Sequence, residues 1–439
     1  MTDIAITRTT HPKPQPADET LAFGKVFTDH MFLMEYDEGR GWHDPRIVPY
    51  APFTLDPAAC VLHYGQAIFD GMKAFRGPDG RVRLFRLPDH ARRLNRSAHY
   101  LCIPEIDPEL VEQSIRSLVE VDQRWVPSLP GTSLYIRPTV IATETFLGVH
   151  PSSSYLYYVI VGPVGAYYKE GMNPVRILAS DQYVRAVKGG LGAAKTAGNY
   201  AASLYGAEEA QHAGYTQVLW LDGVEHRYLD EVGTMNIMLK IDDEVITPPL
   251  NGAILAGITR DSVLTLLRDW GLRVSERPVA IDEVIAAAQS GRLEMWGTGT
   301  AAVISPVGEL GYKGERYVIN DGKTGALTQK LYDTIVGIQY GTEPDPHGWA
   351  RLLRGGISGT RLLSAALFLT GSSDSPTVSA SRVIGDRRLL DREAARERSV
   401  AFFAFDVNPA AIAVGGGVVH DHRPFFDRDG GTRVIIGFT

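Results

Sequence analysis

The sequence has little of what would tie it to an oxidising compartment, a membrane or a nucleic acid. Its 439 residues include two cysteines, Cys60 and Cys102, whose spacing suits neither a redox pair nor a metal site, so free thiols in a reducing compartment are expected. No run of about 18 apolar residues is present. The net charge of −7 is spread without a block of like charges, which argues against nucleic acid or an anionic membrane as the main partner. We therefore expect a cytoplasmic protein that acts on small molecules.

The C-terminal part of the sequence lacks residue types that are common elsewhere in the chain. Residues 348–439 contain no Lys, Met, Cys or Tyr, although the whole chain has 19 tyrosines and 8 methionines. This shift in composition predicts an appended module or poorly ordered sequence, and we assign no chemistry to it. His420 and His422 are two possible metal ligands without a third, so no metal site is expected.

Length and sequence pattern predict an α+β protein with more than one domain. The chain is longer than a typical single core requires. Aromatic and β-branched residues alternate with polar ones in "KVFTDHMFLMEYD" and "YAPFTLDP", which predicts strands. Helices are expected to start near Asp89 and to cover "NYAASLYGAEEAQHAG", where Gly214 closes the helix. The expected divisions are a small N-terminal α+β domain (residues 1–164), a linker (165–174), a large domain (175–347) and an extension of unassigned structure (348–439).

The segment "GGLGAAKTAGNY", residues 189–200, carries the first candidate for chemistry. Lys195 and Thr196 fit the end of a nucleotide-binding P-loop, but Ala194 stands where such a loop has glycine, and no buried strand leads directly into the glycines. Two alternatives remain: an exposed lysine on a flexible loop, or a lysine that forms a Schiff base with pyridoxal phosphate. The Schiff base requires further residues elsewhere in the chain.

Pyridoxal phosphate needs an acid at its ring nitrogen and a cradle for its phosphate. The motif "YLDEVGTMN" supplies Asp230 and Glu231, either of which could pair with a protonated ring. In "ILAGITRDS", Gly257 lets the backbone come close to a ligand, and a helix begins there whose free N–H groups favour an anion. Further candidates for the phosphate are Arg93 and the hydroxyls of Thr298 and Thr300 in "WGTGTAA".

Taken together, these motifs resemble those of the branched-chain amino acid aminotransferases, which are class IV pyridoxal-phosphate enzymes. The resemblance covers most of the chain before the extension, in order and in spacing. The motifs that carry it are "LHYGQAIFDGMKAFRG", "FRLPDHARRLNRSA", "GTSLYIRP", "KTAGNY", "DEVGTMNI", "TPPLNGAILAGITRDS" and "WGTGTAA". It implies the two-domain class IV fold, with residues 175–347 as the domain that binds pyridoxal 5′-phosphate.

The resemblance also implies a role for each residue at a matching position. Lys195 resembles the Schiff-base lysine, Tyr200 the tyrosine at the cofactor's phenolic oxygen, and Glu231 rather than Asp230 the acid at the ring nitrogen. The phosphate positions are Arg93, Gly257, Ile258, Thr259 and Thr300. The positions for the substrate α-carboxylate are Thr234 and the backbone of Ala301 and Ala302. The side-chain pocket positions are Phe23, Phe69, Tyr135, Tyr167 and Tyr200, with Arg137 and Tyr64 for the distal carboxylate of glutamate. Tyr64, Leu147 and Val149 would come from the partner subunit of a homodimer.

The implied activity is transfer of the amino group of leucine, isoleucine or valine to 2-oxoglutarate, which gives the branched 2-oxo acid and glutamate. A D-amino acid aminotransferase and a lyase acting on aminodeoxychorismate share the fold and are the alternatives, and "SLYIRP" and "DEVGTMNI" favour the branched-chain enzyme. One departure concerns regulation. Some relatives carry a Cys-x-x-Cys pair after the last motif, where this chain has "TAAVISPV", so no thiol switch is expected there.

Overall fold

The computed structural model describes residues 2–165 and 172–353, which form two mixed β-sheets with helices packed on them. The first elements are β1 (Ala5–Ile6), β2 (His30–Asp37), β3 (Gly41–Pro49), α1 (Cys60–Tyr64), β4 (Ala67–Phe69), β5 (Met72–Arg76), β6 (Val82–Phe85), α2 (Leu87–Tyr100), α3 (Pro108–Val121), β7 (Ser133–Ala142) and β8 (Ser154–Val164). Next come β9 (Val175–Ser180), α4 (Ala197–Ala202), α5 (Leu204–His212), β10 (Gln217–Leu221), β11 (Leu229–Val232), β12 (Met235–Ile241) and β13 (Glu244–Thr247). The last are α6 (Ile258–Asp269), β14 (Arg273–Glu276), α7 (Ile281–Gln289), β15 (Leu293–Gly299), β16 (Val303–Tyr312), β17 (Glu315–Val318), α8 (Ala326–Tyr340) and β18 (Ala350–Leu352).

The first sheet has the strand order β1-β3-β2-β8-β7-β5-β6-β18, and β4 pairs with β7. Its longest pairing joins β7 and β8 antiparallel, from Ser133 opposite Val164 to Ala142 opposite Tyr155. Helices α2 and α3 cover one face, and their apolar residues recur at helical spacing. Leu94, Ile115 and Leu118 are almost fully buried there, in one cluster with strand residues such as Phe32.

The second sheet has the order β11-β10-β9-β16-β15-β12-β13-β14, and β17 adds to β16. Strands β9, β10 and β16 are parallel neighbours, whereas β15 is antiparallel to both β12 and β16. The strands buried on both faces are nearly continuous runs of apolar residues, as such strands require. No helix in the described ranges is long and apolar enough to cross a membrane.

The two sheets share a third apolar cluster. Phe75 and Phe85 of the first sheet pack in it with residues of α6, α8 and the second sheet, including Val263, Ile335 and Trp296. The lysine segment is also tied to the first sheet, because Ile68 of β4 forms an isolated bridge with Thr196 and the N–H of Phe69 donates to the Lys195 carbonyl at 3.0 Å. Four segments therefore meet between the sheets: β4 with β5, the start of α4, the start of α6, and the turn between β15 and β16.

Several sequence-based boundaries are wrong. Residues 50–57 form no strand, and the second strand is β3, which precedes them; its polar and Pro-containing sequence hid the pattern. Helix α2 begins at Leu87, so Asp89 lies in its first turn and pairs with Arg86 at 2.7 Å instead of capping the helix. The helix after Lys195 is two helices that meet at Ser203.

The first residues of the C-terminal extension belong to the fold. Strand β18 pairs antiparallel with β6, with Ala350 opposite Phe85, although it lies within the range left unassigned from the sequence. Trp349 precedes it and is buried against Phe85, with ring centroids 6.0 Å apart. The composition changes near residue 348, but pairing with an open sheet edge is a long-range contact that composition does not report. Residues 354–439 lie outside the described part of the chain, as do His420 and His422.

Candidate active site

A cavity of about 220 Å³ lies where the four segments meet. It brings together most of the residues singled out in the sequence. The predicted site residues that line it are Phe23, Phe69, Arg93, Tyr135, Arg137, Lys195, Tyr200, Glu231, Thr234, Gly257, Ile258, Thr259, Thr300, Ala301 and Ala302. Met235, Asn236, Leu255 and the predicted Thr298 also line it.

Lys195 is held in place by its own backbone and presents its amine to the cavity. Its N–H donates to Ser97 Oγ at 2.9 Å, and Asn199 donates to the carbonyls of Leu191 and Ala194 at 2.7 and 2.8 Å, which folds the preceding loop. The amine donates to Tyr200 Oη at 2.5 Å. Burial, helped by the charge of Arg93, lowers the pKa of the Lys195 amine to about 8. At pH 7 roughly a tenth of this amine is therefore neutral, and nucleophilic.

The acid in the cavity is Glu231, on β11. It is 3% exposed, and Arg185 lies 3.0 Å from its carboxylate, while the N–H of Leu255 donates to Oε1 at 2.9 Å. Burial raises the pKa of Glu231, and the charge of Arg185 opposes that rise. Asp230, which points to the opposite side of the strand because successive residues alternate, is not among the residues that line the cavity.

Helix α6 directs its N-terminus at the cavity. Gly257 is its N-cap residue and no side chain caps the helix, so the first N–H groups are available to an anion. A Cβ atom on Gly257 would collide with Oδ1 of Asn236, so only glycine fits at this position without displacing Asn236. Asn236 in turn donates to the Leu255 carbonyl at 2.9 Å and to Glu231 at 3.3 Å. The acid and the helix start are therefore linked by one side chain.

A buried charge network supports Arg93. The Nε and Nη2 atoms of Arg93 donate to the two carboxylate oxygens of Asp70 at 2.9 and 2.7 Å, and Nδ1 of His90 lies 2.7 Å from Asp70 Oδ1. All three residues are at most 4% exposed. Although burial raises the pKa of Asp70, the charges of Arg93 and His90 and their hydrogen bonds hold it well below its usual value. The guanidinium is thus fixed in orientation, with one edge towards the Ala256 carbonyl and the start of α6.

Aromatic rings form the opposite wall. The ring of Phe23 packs edge-on against Tyr135 at 4.9 Å, and Phe69 lies 4.8 Å from Tyr200. Arg137 lies over Phe69 with its guanidinium 4.7 Å from the ring centre, and it donates to Tyr135 Oη at 2.9 Å. This wall is apolar with one cation at its edge.

Not every predicted site residue reaches the cavity of its own chain. Tyr64, Leu147 and Val149 do not line it, and their exposed fractions are 43%, 66% and 89%. Tyr167 lies outside the described residues.

The sequence analysis missed three residues that support the site through their contacts: Asp70, Arg185 and Lys73. Each acts through a contact with a residue distant in sequence, which spacing does not reveal. Asp70 and Lys73 stand in the quoted motif "FDGMKAF", where two charged residues among apolar ones were the available signal. Within the described residues, no group of three or more His, Cys, Asp or Glu could hold a metal ion.

Comparison with known proteins decides the family. Residues 67–310 match the model of the amino-transferase class IV family. The chain is 56% identical over 347 residues to branched-chain-amino-acid aminotransferase 2 of Bacillus subtilis (strain 168), and the match covers 79% of this chain and 95% of the relative. The chain belongs to the branched-chain aminotransferases of class IV. This confirms the predicted family, and the P-loop alternative for the lysine segment is set aside.

Solved structures of branched-chain amino acid aminotransferases share the fold. The one from the thermophilic archaeon Thermoproteus uzoniensis, with norvaline, is 25% identical, with a TM-score of 0.62, and covers 74% of this chain and 100% of its own. Another, with pyridoxamine 5′-phosphate, is 27% identical, with a TM-score of 0.62, and covers 74% of this chain and 98% of its own. The predicted α+β class IV fold is therefore confirmed. As a class IV aminotransferase, this enzyme depends on pyridoxal 5′-phosphate.

Proposed function

We propose that this branched-chain aminotransferase transfers the amino group of leucine, isoleucine or valine to 2-oxoglutarate, with Lys195 as the residue that forms a Schiff base with pyridoxal phosphate. One observation carries the proposal. The amine of Lys195, with its pKa lowered to about 8, opens into a cavity that also contains a buried acid, an uncapped helix N-terminus and an aromatic wall. Each of these features answers one chemical demand of the cofactor or the substrate.

The residues of the cavity fit the cofactor. Glu231, held by Arg185, is placed to pair with a protonated ring nitrogen, which would offset the cost of burying that acid. The N–H groups at Ile258 and Thr259 and the guanidinium of Arg93 would receive the phosphate, together with Thr300. Bound there, pyridoxal phosphate supplies an aldehyde that exchanges amines and a ring that withdraws electrons from the substrate α-carbon.

Lys195 has two tasks in this proposal. It holds the cofactor before substrate arrives, and after an incoming amine displaces it, its Nζ removes the proton from the substrate α-carbon and later returns it. A pKa near 8 keeps enough neutral amine for the first transfer. Burial raises the pKa of the Tyr200 hydroxyl to about 12, so that hydroxyl stays protonated. It serves as a hydrogen-bond donor to the cofactor and keeps the lysine oriented.

The substrate carboxylate would bind at the turn between β15 and β16. The backbone N–H groups of Ala301 and Ala302 donate to no acceptor among the described residues, and Thr234 lines the same cavity. The hydroxyl of Thr298 is buried there with no hydrogen-bond partner in the described chain. Buried polar atoms without partners are uncommon in proteins, so these groups support a polar ligand at this turn.

The side chain of the substrate would lie against Phe23, Phe69 and Tyr135. A hydrophobic slot separates one methylene by about 1–3 kcal/mol, so discrimination among the three aliphatic substrates would be modest. Arg137 at the edge of the wall provides the cation that the distal carboxylate of glutamate or 2-oxoglutarate needs. The same pocket can therefore accept an apolar and an anionic side chain in turn.

A homodimer is part of the proposal. Leu147 and Val149 lie on the loop after β7, next to Phe146, which is 46% exposed. A β-bridge between Ala59 and Thr145 joins this loop to the residues just before α1. Neighbouring exposed apolar residues of this kind indicate an interface. A partner subunit would then complete the pocket with Tyr64, Leu147 and Val149.

The proposed cytoplasmic location is supported by the two cysteines of the chain, both of which are free.

The test is spectroscopic and enzymatic. The purified enzyme should show the absorbance of a protonated Schiff base, which leucine should shift to that of the pyridoxamine form and 2-oxoglutarate should restore. Lys195→Ala should retain cofactor without the covalent bond and lose at least about 10³-fold in kcat. Light scattering should give the mass of a dimer.

The D-amino acid aminotransferase and the aminodeoxychorismate lyase serve as enzymatic controls. Leucine, D-alanine and aminodeoxychorismate should be assayed side by side on the same preparation. Turnover of D-alanine or aminodeoxychorismate without turnover of leucine would refute the proposed substrates. An unchanged spectrum in Lys195→Ala would refute the assignment of the lysine.

A further inference from the structure

Lys73 is a buried cation that touches the turn where the substrate carboxylate is proposed to bind. It lies on β5, is 8% exposed, and is not part of the cavity lining. Its Nζ donates to the backbone carbonyl of Ala301 at 2.6 Å. Lys73 lies in the first sheet and Ala301 in the turn between two strands of the second, so this hydrogen bond connects β5 to the β15–β16 turn.

The charge of Lys73 is not compensated by an acid in the part of the chain that the structure describes. Lys73 forms no ion pair within residues 2–165 and 172–353, and burial alone lowers the pKa of its amine to about 8. A buried cation without a counter-charge is costly, and an anionic ligand bound close by would offset part of that cost. The part of the cavity that Lys73 contacts is the β15–β16 turn, through the carbonyl of Ala301.

The geometry of the peptide explains how Lys73 would act. A trans peptide is planar, so its C=O and the following N–H point in opposite directions. Lys73 draws the Ala301 carbonyl away from the cavity, and the N–H of Ala302 must therefore point towards it. The next residue, Val303, has φ of 64°, a backbone conformation that a β-branched residue rarely adopts. The turn is thus held in a strained shape, as is common where a backbone binds a ligand.

We propose that Lys73 is the positioning residue for the substrate α-carboxylate: it fixes the Ala301–Ala302 peptide so that the Ala302 N–H faces the carboxylate, and it places a positive charge behind that peptide. This inference rests on the proposed binding of the carboxylate at the turn. Lys73 itself does not contact substrate or cofactor.

The experiment measures carboxylate binding separately from turnover. The dissociation constant of 4-methylvalerate, a carboxylate with the leucine side chain and no amine, is measured on the holoenzyme by absorbance titration. Lys73→Met should weaken this binding about tenfold or more, the size expected when a charged hydrogen bond is lost. KM for leucine and for glutamate should rise by a similar factor, because both carry the α-carboxylate, while kcat falls less.

Two control variants define the result. Lys73→Arg keeps the charge and a donor and should restore binding to within about threefold of wild type. Lys13→Met removes another lysine that donates to backbone carbonyls, those of Phe27 and Thr28 at 3.3 and 2.7 Å, far along the chain from the turn. It should leave binding and both KM values unchanged. Thermal unfolding and cofactor content of all variants establish that each is folded and loaded.

The outcomes separate this inference from the proposed function. If wild-type enzyme transaminates leucine and Lys73→Met binds 4-methylvalerate as wild type does, the role of Lys73 is refuted. If wild-type enzyme fails to bind 4-methylvalerate or to use leucine, the proposed function fails, and the inference with it. Should Lys73→Met not fold, Lys73→Gln, one atom shorter and uncharged, replaces it with the same expected loss.

Discussion

Asp70 shows at the scale of a single residue how a buried charge is made tolerable. Its carboxylate is fully buried and engaged by Arg93 and His90. Removing one partner of such a pair leaves the other charge uncompensated, which is far more costly than losing an exposed pair. Asp70→Asn keeps the shape and removes the charge. We expect it to lower the free energy of unfolding of the apoprotein by about 3–5 kcal/mol, measured by urea denaturation at pH 7.

An ion pair whose acid is exposed to solvent provides the matched control. Asp261 pairs with Arg86 at the same 2.7 Å, but the Asp261 side chain is 59% exposed. Asp261→Asn should therefore cost about 0–1 kcal/mol. The pH dependence gives a second check. Because the pKa of Asp70 is lowered on folding, its contribution is complete above the usual carboxyl pKa and is lost as pH falls below it. Equal losses in the two variants at pH 7 would contradict this account.

The amine of Lys195 sets the pH dependence of cofactor capture. Only the neutral amine attacks an aldehyde, and burial lowers the pKa of this amine to about 8. The rate at which apoenzyme takes up pyridoxal phosphate should rise about tenfold per pH unit below 8 and level off above it. Stopped-flow absorbance measures this rate. A rate that continues to rise to pH 10, as for an ordinary lysine, would show that burial does not lower the pKa.

At the scale of secondary-structure elements, the start of α6 shows why the sequence has glycine at position 257. Gly257 lets the chain pass close to Asn236, and the helix that follows begins without a side-chain cap. In Gly257→Ala the new methyl group would displace Asn236, and with it the hydrogen bonds to Leu255 and Glu231. We expect cofactor affinity to fall at least about tenfold, measured by equilibrium dialysis against pyridoxal phosphate.

Gly198→Ala is the control for this prediction. A Cβ atom on Gly198 would meet no atom within 4 Å beyond its chain neighbours and the backbone of its own helix, and its φ lies outside the positive range. Its cofactor affinity should remain close to that of wild type. A comparable loss in both variants would mean that the close approach of Gly257 to Asn236 does not shape the phosphate site.

Elements were predictable from the sequence where periodicity was strong and local. Helices α3, α7 and α8 lie where apolar residues recur at helical spacing. Strand β3 was missed because Asp44 and Pro45 interrupt its pattern, although antiparallel pairing with β2 stabilises it. The same limit applies to the site. Lys195, Glu231 and Gly257 stand in compact motifs, whereas the contact of Lys73 with Ala301 joins residues far apart in the chain and required the fold.

At the scale of the whole molecule, the described fold continues past the change in composition and includes β18. Trp349 is buried, its carbonyl accepts from the backbone N–H of Arg86 at 2.7 Å, and Leu353 donates to the Val82 carbonyl at 2.8 Å. The Bacillus subtilis relative is matched over 95% of its length by 79% of this chain, so about four fifths of the chain corresponds to nearly the whole relative. A chain that ends after Leu353 should therefore keep both its melting temperature and its turnover of leucine.

A chain that ends after His347 should behave differently, although it is only six residues shorter. It loses the buried ring of Trp349 and all of β18, and the edge of β6 is left without its neighbour. Loss of a buried tryptophan side chain costs about 3–5 kcal/mol, so the melting temperature should fall by several degrees for a chain of this size. Calorimetry on the two truncated chains measures the difference. If both retain the stability of the full chain, β18 contributes nothing to the fold; if the chain ending after Leu353 folds with its cofactor but loses turnover, residues 354–439 take part in catalysis.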